Sequence, residues 1–225
     1  MFKKIEFYSK KFLRIIRYLK MFRFKSADKR FEYIYLNNLW NEEETPSGDG
    51  STLTYTKNIR EHLPKIFKAF EISSVLDAPC GDFNWMQHVL KEVEGVTYIG
   101  GDIVTPLICE NKKRYETSNI SFITLDITKD VLPDADLIIV RDCLFHLSYS
   151  DISLFLTNLL KSNIKYILTT SHVNQRNTNI LTGHFREMNI FIEPFNWTKD
   201  FLYEIEEEER SIYLFKCNQL PGRVK

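Results

Sequence analysis

The sequence has 225 residues, of which 44% are hydrophobic, 14% aromatic and 27% charged. This length fits one α/β domain with a small extension, and the apolar content excludes global disorder. Thirty basic side chains balance thirty acidic ones, so bulk charge gives no reason to expect a polyanionic partner such as nucleic acid.

The N-terminal 30 residues are strongly basic, with eleven Lys or Arg against two acidic side chains. Apolar residues recur there at helical spacing, which predicts a basic amphipathic helix. Such a helix suits two roles: docking on a partner or on the anionic inner face of a membrane, or packing on its own domain or on a second copy of the chain. The spacing does not choose between them. The apolar residues are Ile5, Tyr8, Phe12, Ile15, Ile16, Leu19 and Phe22.

Two further features bear on the location of the protein. The four cysteines are scattered, without the paired spacing of a zinc site or a secreted disulfide framework. No uncharged run reaches the roughly 18 residues of a membrane-spanning helix, and the N-terminus lacks the apolar stretch of a signal peptide. We therefore expect free thiols and a cytoplasmic protein.

A loop follows the basic extension, and regular elements follow the loop. Glycines and polar residues over 41–51 predict the loop, so we divide the chain into an extension, 1–44, and a domain, 45–225. After a helix over 54–70, strands are predicted at 73–77, 96–102, 121–126, 136–142 and 165–171, with helices near 83–93, 105–117 and 150–162. Two last strands, 201–206 and 211–216, form an antiparallel hairpin. Alternating strands and helices predict an α/β fold with a doubly wound, mostly parallel, seven-stranded sheet.

Four predicted strands end in aspartate, at Asp77, Asp102, Asp126 and Asp142. Aspartate also favours turns and helix caps, but four at one edge of a sheet are harder to explain by capping. Ligands of open parallel sheets bind beyond the carboxyl ends of the strands. Asp102 is placed to accept hydrogen bonds from both ribose hydroxyls, and Asp126 from the exocyclic amine of an adenine.

The loop after the first strand lacks the GxGxxG pattern that cradles a dinucleotide, because Gly81 is its only glycine. NAD is therefore disfavoured. The segments 75–86 (VLDAPCGDFNWM), 98–103 (YIGGDI), 122–127 (FITLDI) and 137–148 (LIIVRDCLFHLS) resemble the ordered motifs of class I S-adenosylmethionine-dependent methyltransferases.

This resemblance implies S-adenosylmethionine as the cofactor and assigns roles to residues at the strand ends. Asp102 and Ile103 would hold the ribose and adenine, Asp126 and Ile127 would flank the adenine, and Arg141 would lie beneath the sulfonium. The residues expected at the methionine end are Asp77, Ala78, Pro79, Cys80 and Gly81. The family has glycines where this chain has Pro79 and Phe83, and we expect Phe83 and Trp85 to line the pocket instead.

The loop SGDGST (47–52), followed by LPKIF (63–67), is similar to a bacterial subgroup that occurs with surface-polysaccharide genes. The activity implied is O-methylation of a sugar hydroxyl in capsule biosynthesis, with a nucleotide-activated heptose as the suggested acceptor. Two alternatives stay open: a methyltransferase of another acceptor, such as an amine or a protein side chain, and a non-catalytic cofactor-binding module that docks through its N-terminal helix.

A sugar hydroxyl needs a base to remove its proton, and His146 lies just beyond the fourth strand at the expected cleft. A helix cap or a core position is the alternative for His146, and His172 is the reserve candidate. The other acceptor-binding candidates are Asp142, Arg176 and Trp197, the last two from a segment rich in amides and aromatics. No metal is expected, and RDCLFH (141–146) differs from the Asn/Asp-Pro-Pro-aromatic box of base-amine methyltransferases, which disfavours a DNA substrate.

Overall fold

The computed structural model describes residues 19–40, 42–222 and 224. Most of the predicted N-terminal helix, including Ile5 to Ile16, lies outside the described residues. Residues 19–21 are helical, and a further helix follows that the sequence pattern did not separate from the first. The helices are α1 (Ala27–Leu36), α2 (Lys57–Ala69), α3 (Met86–Leu90), α4 (Thr105–Tyr115) and α5 (Tyr149–Leu159).

Seven strands form a single sheet in the order β3-β2-β1-β4-β5-β7-β6. The first five in sequence pair in parallel, whereas β7 runs antiparallel to both β5 and β6. The prediction of a doubly wound sheet closed by a C-terminal hairpin is therefore confirmed. The strands are β1 (Ser74–Asp77), β2 (Thr97–Asp102), β3 (Ile120–Thr124), β4 (Leu137–Val140), β5 (Tyr166–His172), β6 (Tyr203–Glu206) and β7 (Arg210–Lys216).

Helices cover both faces of the sheet, because its central strands are apolar on both sides. In β4, Leu137 and Ile139 pack into one hydrophobic cluster, whereas Ile138 and Val140 pack into the other. This is the period of two that a strand requires. The continuous apolar run of β4 is typical of a central parallel strand buried on both faces.

The helices bury apolar stripes against this sheet. In α2, Ile59, Leu63, Ile66 and Phe67 are buried at the spacing of one helical face. Helix α5 begins where Ser148 caps it, since the Ser148 Oγ accepts a hydrogen bond from the Asp151 amide at 3.1 Å.

Two of the four aspartates do not end their strands, contrary to the prediction. Asp77 and Asp102 close β1 and β2, but Asp126 and Asp142 each lie two residues beyond β3 and β4. Asp142 has a φ of 53°, which an extended strand cannot adopt, so β4 ends before it. The sheet edge nevertheless brings all four acidic positions to the carboxyl ends of adjacent strands.

No helix in the described ranges combines the length and apolar character that a membrane crossing demands.

Candidate cofactor and acceptor site

A cavity of about 810 Å³ opens at the carboxyl edge of the sheet. Its floor comes from the loops that follow β1, β2, β3 and β4, and a second wall comes from residues 46–51. Part of the N-terminal extension, between Leu19 and Trp40, also lines it. The predicted position of the site at the strand ends therefore coincides with a cavity large enough for a small-molecule ligand.

Asp102 lies on the cavity floor, and both of its carboxylate oxygens accept hydrogen bonds. Its Oδ2 accepts a hydrogen bond from the Gly81 amide at 3.2 Å, and its Oδ1 accepts one from the Val104 amide at 3.0 Å. Burial raises the pKa of this carboxyl to about 6, although hydrogen bonds from the Val104 and Gly81 amides oppose the shift. A carboxylate fixed in this way can accept hydrogen bonds from hydroxyls or attract a cation.

Residues 45–47 hold the loop after β1 in place through hydrogen bonds to Asp82. Asp82 Oδ1 accepts hydrogen bonds from the Thr45 and Ser47 hydroxyls at 2.8 and 2.9 Å, and the Asp82 amide donates to Ser47 Oγ. Gly81 has a φ of +56°, and a Cβ there would lie 2.6 Å from Ser47 Oγ. Only glycine therefore fits this position without strain.

Most of the predicted cofactor residues do line the cavity. From the loop after β1, Ala78, Pro79, Cys80 and Gly81 reach it. Further along the chain, Trp85, Asp102, Ile103, Asp126 and Ile127 also line it.

Asp126 has both carboxylate oxygens engaged. Its Oδ1 accepts from the Thr128 amide and hydroxyl at 3.0 and 2.6 Å, and its Oδ2 pairs with Lys129 at 2.8 Å. Burial raises its pKa, but the bonds from Lys129 and Thr128 outweigh this effect and the net shift is downward. Asp126 therefore remains ionised on the cavity wall and orders the turn after β3.

Asp77 and Phe83 are core residues and do not line the cavity, contrary to the prediction. Asp77 Oδ2 accepts a hydrogen bond from the Tyr98 hydroxyl at 2.8 Å, and burial raises the pKa of Asp77 to about 7. The Phe83 ring packs against Tyr98, Tyr115 and Phe122. These two side chains support the loop after β1 from below.

Arg141 lies behind the cavity wall. Its Nη1 donates to the Gly50 carbonyl at 2.8 Å and lies 3.0 Å from Asp142 Oδ2, and its guanidinium is 5.6 Å from the centroid of the Trp85 ring. Since Gly50 and Trp85 both line the cavity, Arg141 braces the wall and is not itself a lining residue.

Asp142 lines the cavity but is held by its own neighbours. Its Oδ2 pairs with Arg210 Nη2 at 2.7 Å, and its Oδ1 accepts from the Thr170 hydroxyl at 3.0 Å. A Cβ at Gly50 would lie 2.7 Å from Asp142 Oδ2, which shows how closely the 46–51 wall approaches this ion pair.

His146 ends a short 3-10 turn, Leu144–His146, and lines the cavity. Its Nδ1 is 2.7 Å from the His184 carbonyl oxygen. A carbonyl can only accept, so Nδ1 carries the proton and Nε2 is left as the acceptor. Burial lowers the pKa of His146 to about 4, so the ring is neutral at physiological pH.

The remaining acceptor-binding candidates do not reach the cavity. His172 is buried behind Phe145, with its Nδ1 accepting from the Met188 amide at 3.3 Å. Trp197 lies in the core, edge-on to Phe215. Arg176 is exposed and is not among the lining residues. Within the amide-rich segment 174–197, Asn174, Asn177 and Asn189 hydrogen-bond to other parts of the segment, whereas Thr182, Gly183 and Phe185 line the cavity.

A second group of lining residues was not predicted from the sequence. From the extension come Lys25, Arg30, Phe31, Tyr35 and Trp40, and from the later segments come Asp151, Thr182 and Phe185. For the extension residues the sequence contains a weak indication, because aromatic side chains continue past Phe22. Thr182 and Phe185 lie far from any motif in sequence, and Asp151 lies just outside the motif segment 137–148, so only the fold brings them to the cavity.

No family model and no curated protein matches the sequence. The structure is similar to that of a Leishmania major S-adenosylmethionine-dependent methyltransferase, with 14% identity, a TM-score of 0.61, and coverage of 84% of this chain and 85% of that one. It is also similar to human N-acetylserotonin methyltransferase in complex with S-adenosylmethionine, with 15% identity, a TM-score of 0.59, and coverage of 88% of this chain.

The chain spans 61% of the length of the human enzyme. A third similar structure is the mitomycin 7-O-methyltransferase MmcR, with 11% identity, a TM-score of 0.52, and coverage of 84% of this chain and 70% of that one. At these identities the likeness establishes the fold, which is the Rossmann-like fold of class I methyltransferases.

Proposed function

We propose that this protein is an S-adenosylmethionine-dependent O-methyltransferase that acts on a sugar hydroxyl in surface-polysaccharide biosynthesis. The observation that carries the proposal is one shared cavity, which holds a carboxylate fixed at the end of β2, Asp102, and a neutral histidine, His146. Similar structures include one in complex with S-adenosylmethionine and one named as an O-methyltransferase.

The cavity residues fit the proposed cofactor. Asp102 has a buried carboxylate that suits ribose hydroxyls, while Ile103, Leu125 and Ile127 offer apolar surface for an adenine. The loop after β1, from Ala78 to Gly81, lines the same cavity and is the part proposed to hold the methionine end of the cofactor. When bound, S-adenosylmethionine would supply an electrophilic methyl group for in-line transfer.

The contribution of His146 is to accept a proton. With its Nδ1 proton committed to the His184 carbonyl, the lone pair on Nε2 is available to an acceptor hydroxyl. Orientation of the acceptor within the cavity contributes as well, on the order of 7–11 kcal/mol at best for well-held reactants.

The acceptor we favour is a nucleotide-activated sugar, such as a heptose. The rings of Trp40, Phe145 and Phe185 line the cavity beside His146 and suit the apolar face of a sugar. Lys25 and Arg30 also line it and suit a diphosphate.

We further propose that the protein is cytoplasmic, does not act on nucleic acid, and uses its N-terminal extension for membrane contact or homodimerisation.

The test has two stages. Calorimetry should first detect binding of S-adenosylmethionine or S-adenosylhomocysteine to the folded protein. A panel of hexose and heptose nucleotide diphosphates is then incubated with labelled cofactor and examined by mass spectrometry for the gain of one methyl group. A folded protein that binds neither cofactor form would contradict the proposal. If only amines are methylated, the methyltransferase activity stands, but the acceptor is an amine and not a hydroxyl.

A further inference from the structure

Three aspartates at or just after strand ends line the cavity and have both carboxylate oxygens engaged. Asp102 gives its two oxygens to backbone amides, Asp126 to Thr128 and Lys129, and Asp142 to Thr170 and arginine. In each case both oxygens of the side chain have a protein partner. These bonds order the loops of the site, and each Asp102 oxygen keeps a second lone pair for the proposed ribose contact.

Asp151 does not follow this pattern. Its Oδ2 accepts a hydrogen bond from the Thr182 hydroxyl, but its Oδ1 accepts none from any residue in the described ranges. The side chain is half-buried and lines the cavity. An ionised carboxylate has about four lone-pair sites, so Asp151 retains the capacity to accept further hydrogen bonds inside the cavity.

The neighbours of Asp151 hold it in a fixed orientation. The Thr182 hydroxyl donates its one proton to Asp151 and accepts from the Ser148 amide at 2.8 Å, so its orientation is fixed. The next residue, Gly183, donates its amide to the His146 carbonyl at 2.8 Å. Asp151 and the proposed base therefore belong to one hydrogen-bonded wall of the cavity.

We propose that Asp151 binds a hydroxyl of the acceptor adjacent to the one that is methylated, and so selects a polyhydroxylated substrate. This inference rests on the proposed function and makes Asp151 a residue that determines which acceptors bind. A hydroxyl donates to a carboxylate in a strong, charge-assisted hydrogen bond. A flat acceptor with a single hydroxyl would leave the Asp151 oxygen unpaired in the cavity, at a cost.

Asp151 also lies in the first turn of α5, where an acidic side chain stabilises the helix. This structural role predicts a lower melting temperature for Asp151→Asn but no change in the choice of acceptor. Ser148→Ala is the matched control, because it removes the side-chain cap of the same helix and leaves the carboxylate in place.

The experiment measures acceptor KM and kcat for the wild type, Asp151→Asn and Ser148→Ala. The acceptors are the best nucleotide sugar of the methylation panel and its monodeoxy analogues. We expect Asp151→Asn to raise KM for the full sugar roughly tenfold or more, with cofactor affinity unchanged. One deoxy analogue should show a similar loss with the wild type and little further loss with Asp151→Asn, since both changes remove the same contact.

The outcomes separate this inference from the proposed function. If the wild type methylates nucleotide sugars but Asp151→Asn and Ser148→Ala behave alike on every analogue, Asp151 is structural and the inference is overturned alone. If the wild type methylates only monohydroxy aromatic acceptors, the proposed preference for polyhydroxylated acceptors is overturned, while the methyltransferase activity is supported. If nothing is methylated and no cofactor binds, the proposed function itself fails.

Discussion

The imidazole of His146 donates its Nδ1 proton to the backbone carbonyl of His184 at 2.7 Å. His184 in turn stacks on the ring of Phe22, with centroids 4.3 Å apart. The contact fixes the tautomer of His146, so that Nε2 is the basic nitrogen. It also connects the proposed base to the N-terminal extension through one side chain, because Phe22 precedes α1.

The first prediction concerns the role of this ring. His146→Ala should lower turnover about 10²–10⁴-fold, because it removes the proposed proton acceptor, and His146 is the only histidine among the described residues that line the cavity. Cofactor affinity, measured by calorimetry, should stay unchanged. His88→Ala is the control, since His88 lies on α3 and outside the cavity. Equal turnover in the two variants would remove His146 from the chemistry.

The second prediction is the pH dependence of kcat/KM for the acceptor at saturating cofactor, which reports the enzyme before the acceptor binds. A base must be neutral to accept a proton, and burial lowers the pKa of His146 to about 4, below the ordinary value of about 6.5. The acidic limb of the profile should therefore lie below pH 5, with a level rate from pH 5 to 8. A limb centred near pH 6.5 would show that His146 titrates as an exposed histidine, or that another group limits the rate.

The third prediction concerns cofactor binding and protons. Burial raises the pKa of Asp102 to about 6, and a cationic cofactor with ribose hydroxyls favours the ionised form. Binding at pH 6 should therefore release protons, and affinity should fall as the pH drops through 6. Calorimetry in buffers with different ionisation enthalpies measures this release.

Asp102→Asn should abolish the proton release near pH 6 and weaken binding by roughly 1.5–3 kcal/mol, the range for hydrogen bonds to a charged group. Asp200→Asn, at an exposed position, is the control. Proton release that persists in Asp102→Asn and centres near pH 7 would point to Asp77 instead.

Much of the fold could be predicted from the sequence, because local patterns decide it. The apolar runs of β1, β2 and β4 and the amphipathic pattern of α2 specify their own secondary structure, and the alternation of strands and helices specifies the parallel sheet. The ends of the strands could be predicted less accurately. Asp142, for example, has a left-handed backbone and contacts Arg210 and Thr170, which are distant in sequence.

The site could be predicted only in part, for a related reason. Residues attached to a strand end, such as Asp102 and His146, follow from topology. Whether Phe83 or Trp197 points into the cavity or into the core depends on packing between segments distant in sequence. Asp151 could not be found from the sequence, because its position opposite Thr182 comes from the 182–186 segment pairing with residues 145–148.

The last prediction compares two glycines with left-handed backbone. Gly81 has a φ of +56° and Gly95 a φ of +72°, but a Cβ at Gly81 would lie 2.6 Å from Ser47 Oγ, whereas a Cβ at Gly95 meets nothing within 4 Å. Gly95→Ala should therefore cost only the backbone term, about 1–2 kcal/mol of unfolding free energy. Gly81→Ala should cost a further 1–3 kcal/mol or so from overpacking.

The two variants should differ more sharply in binding than in stability. Displacement of Ser47 breaks its hydrogen bonds to Asp82, which fix the loop after β1, and shifts the Gly81 amide away from Asp102. Gly81→Ala should thus weaken cofactor binding, while Gly95→Ala, in an exposed turn before β2, leaves it unchanged. Urea unfolding and calorimetry on both variants measure the two effects. Equal cofactor affinity in both would mean that the 45–47 contact does not shape the site.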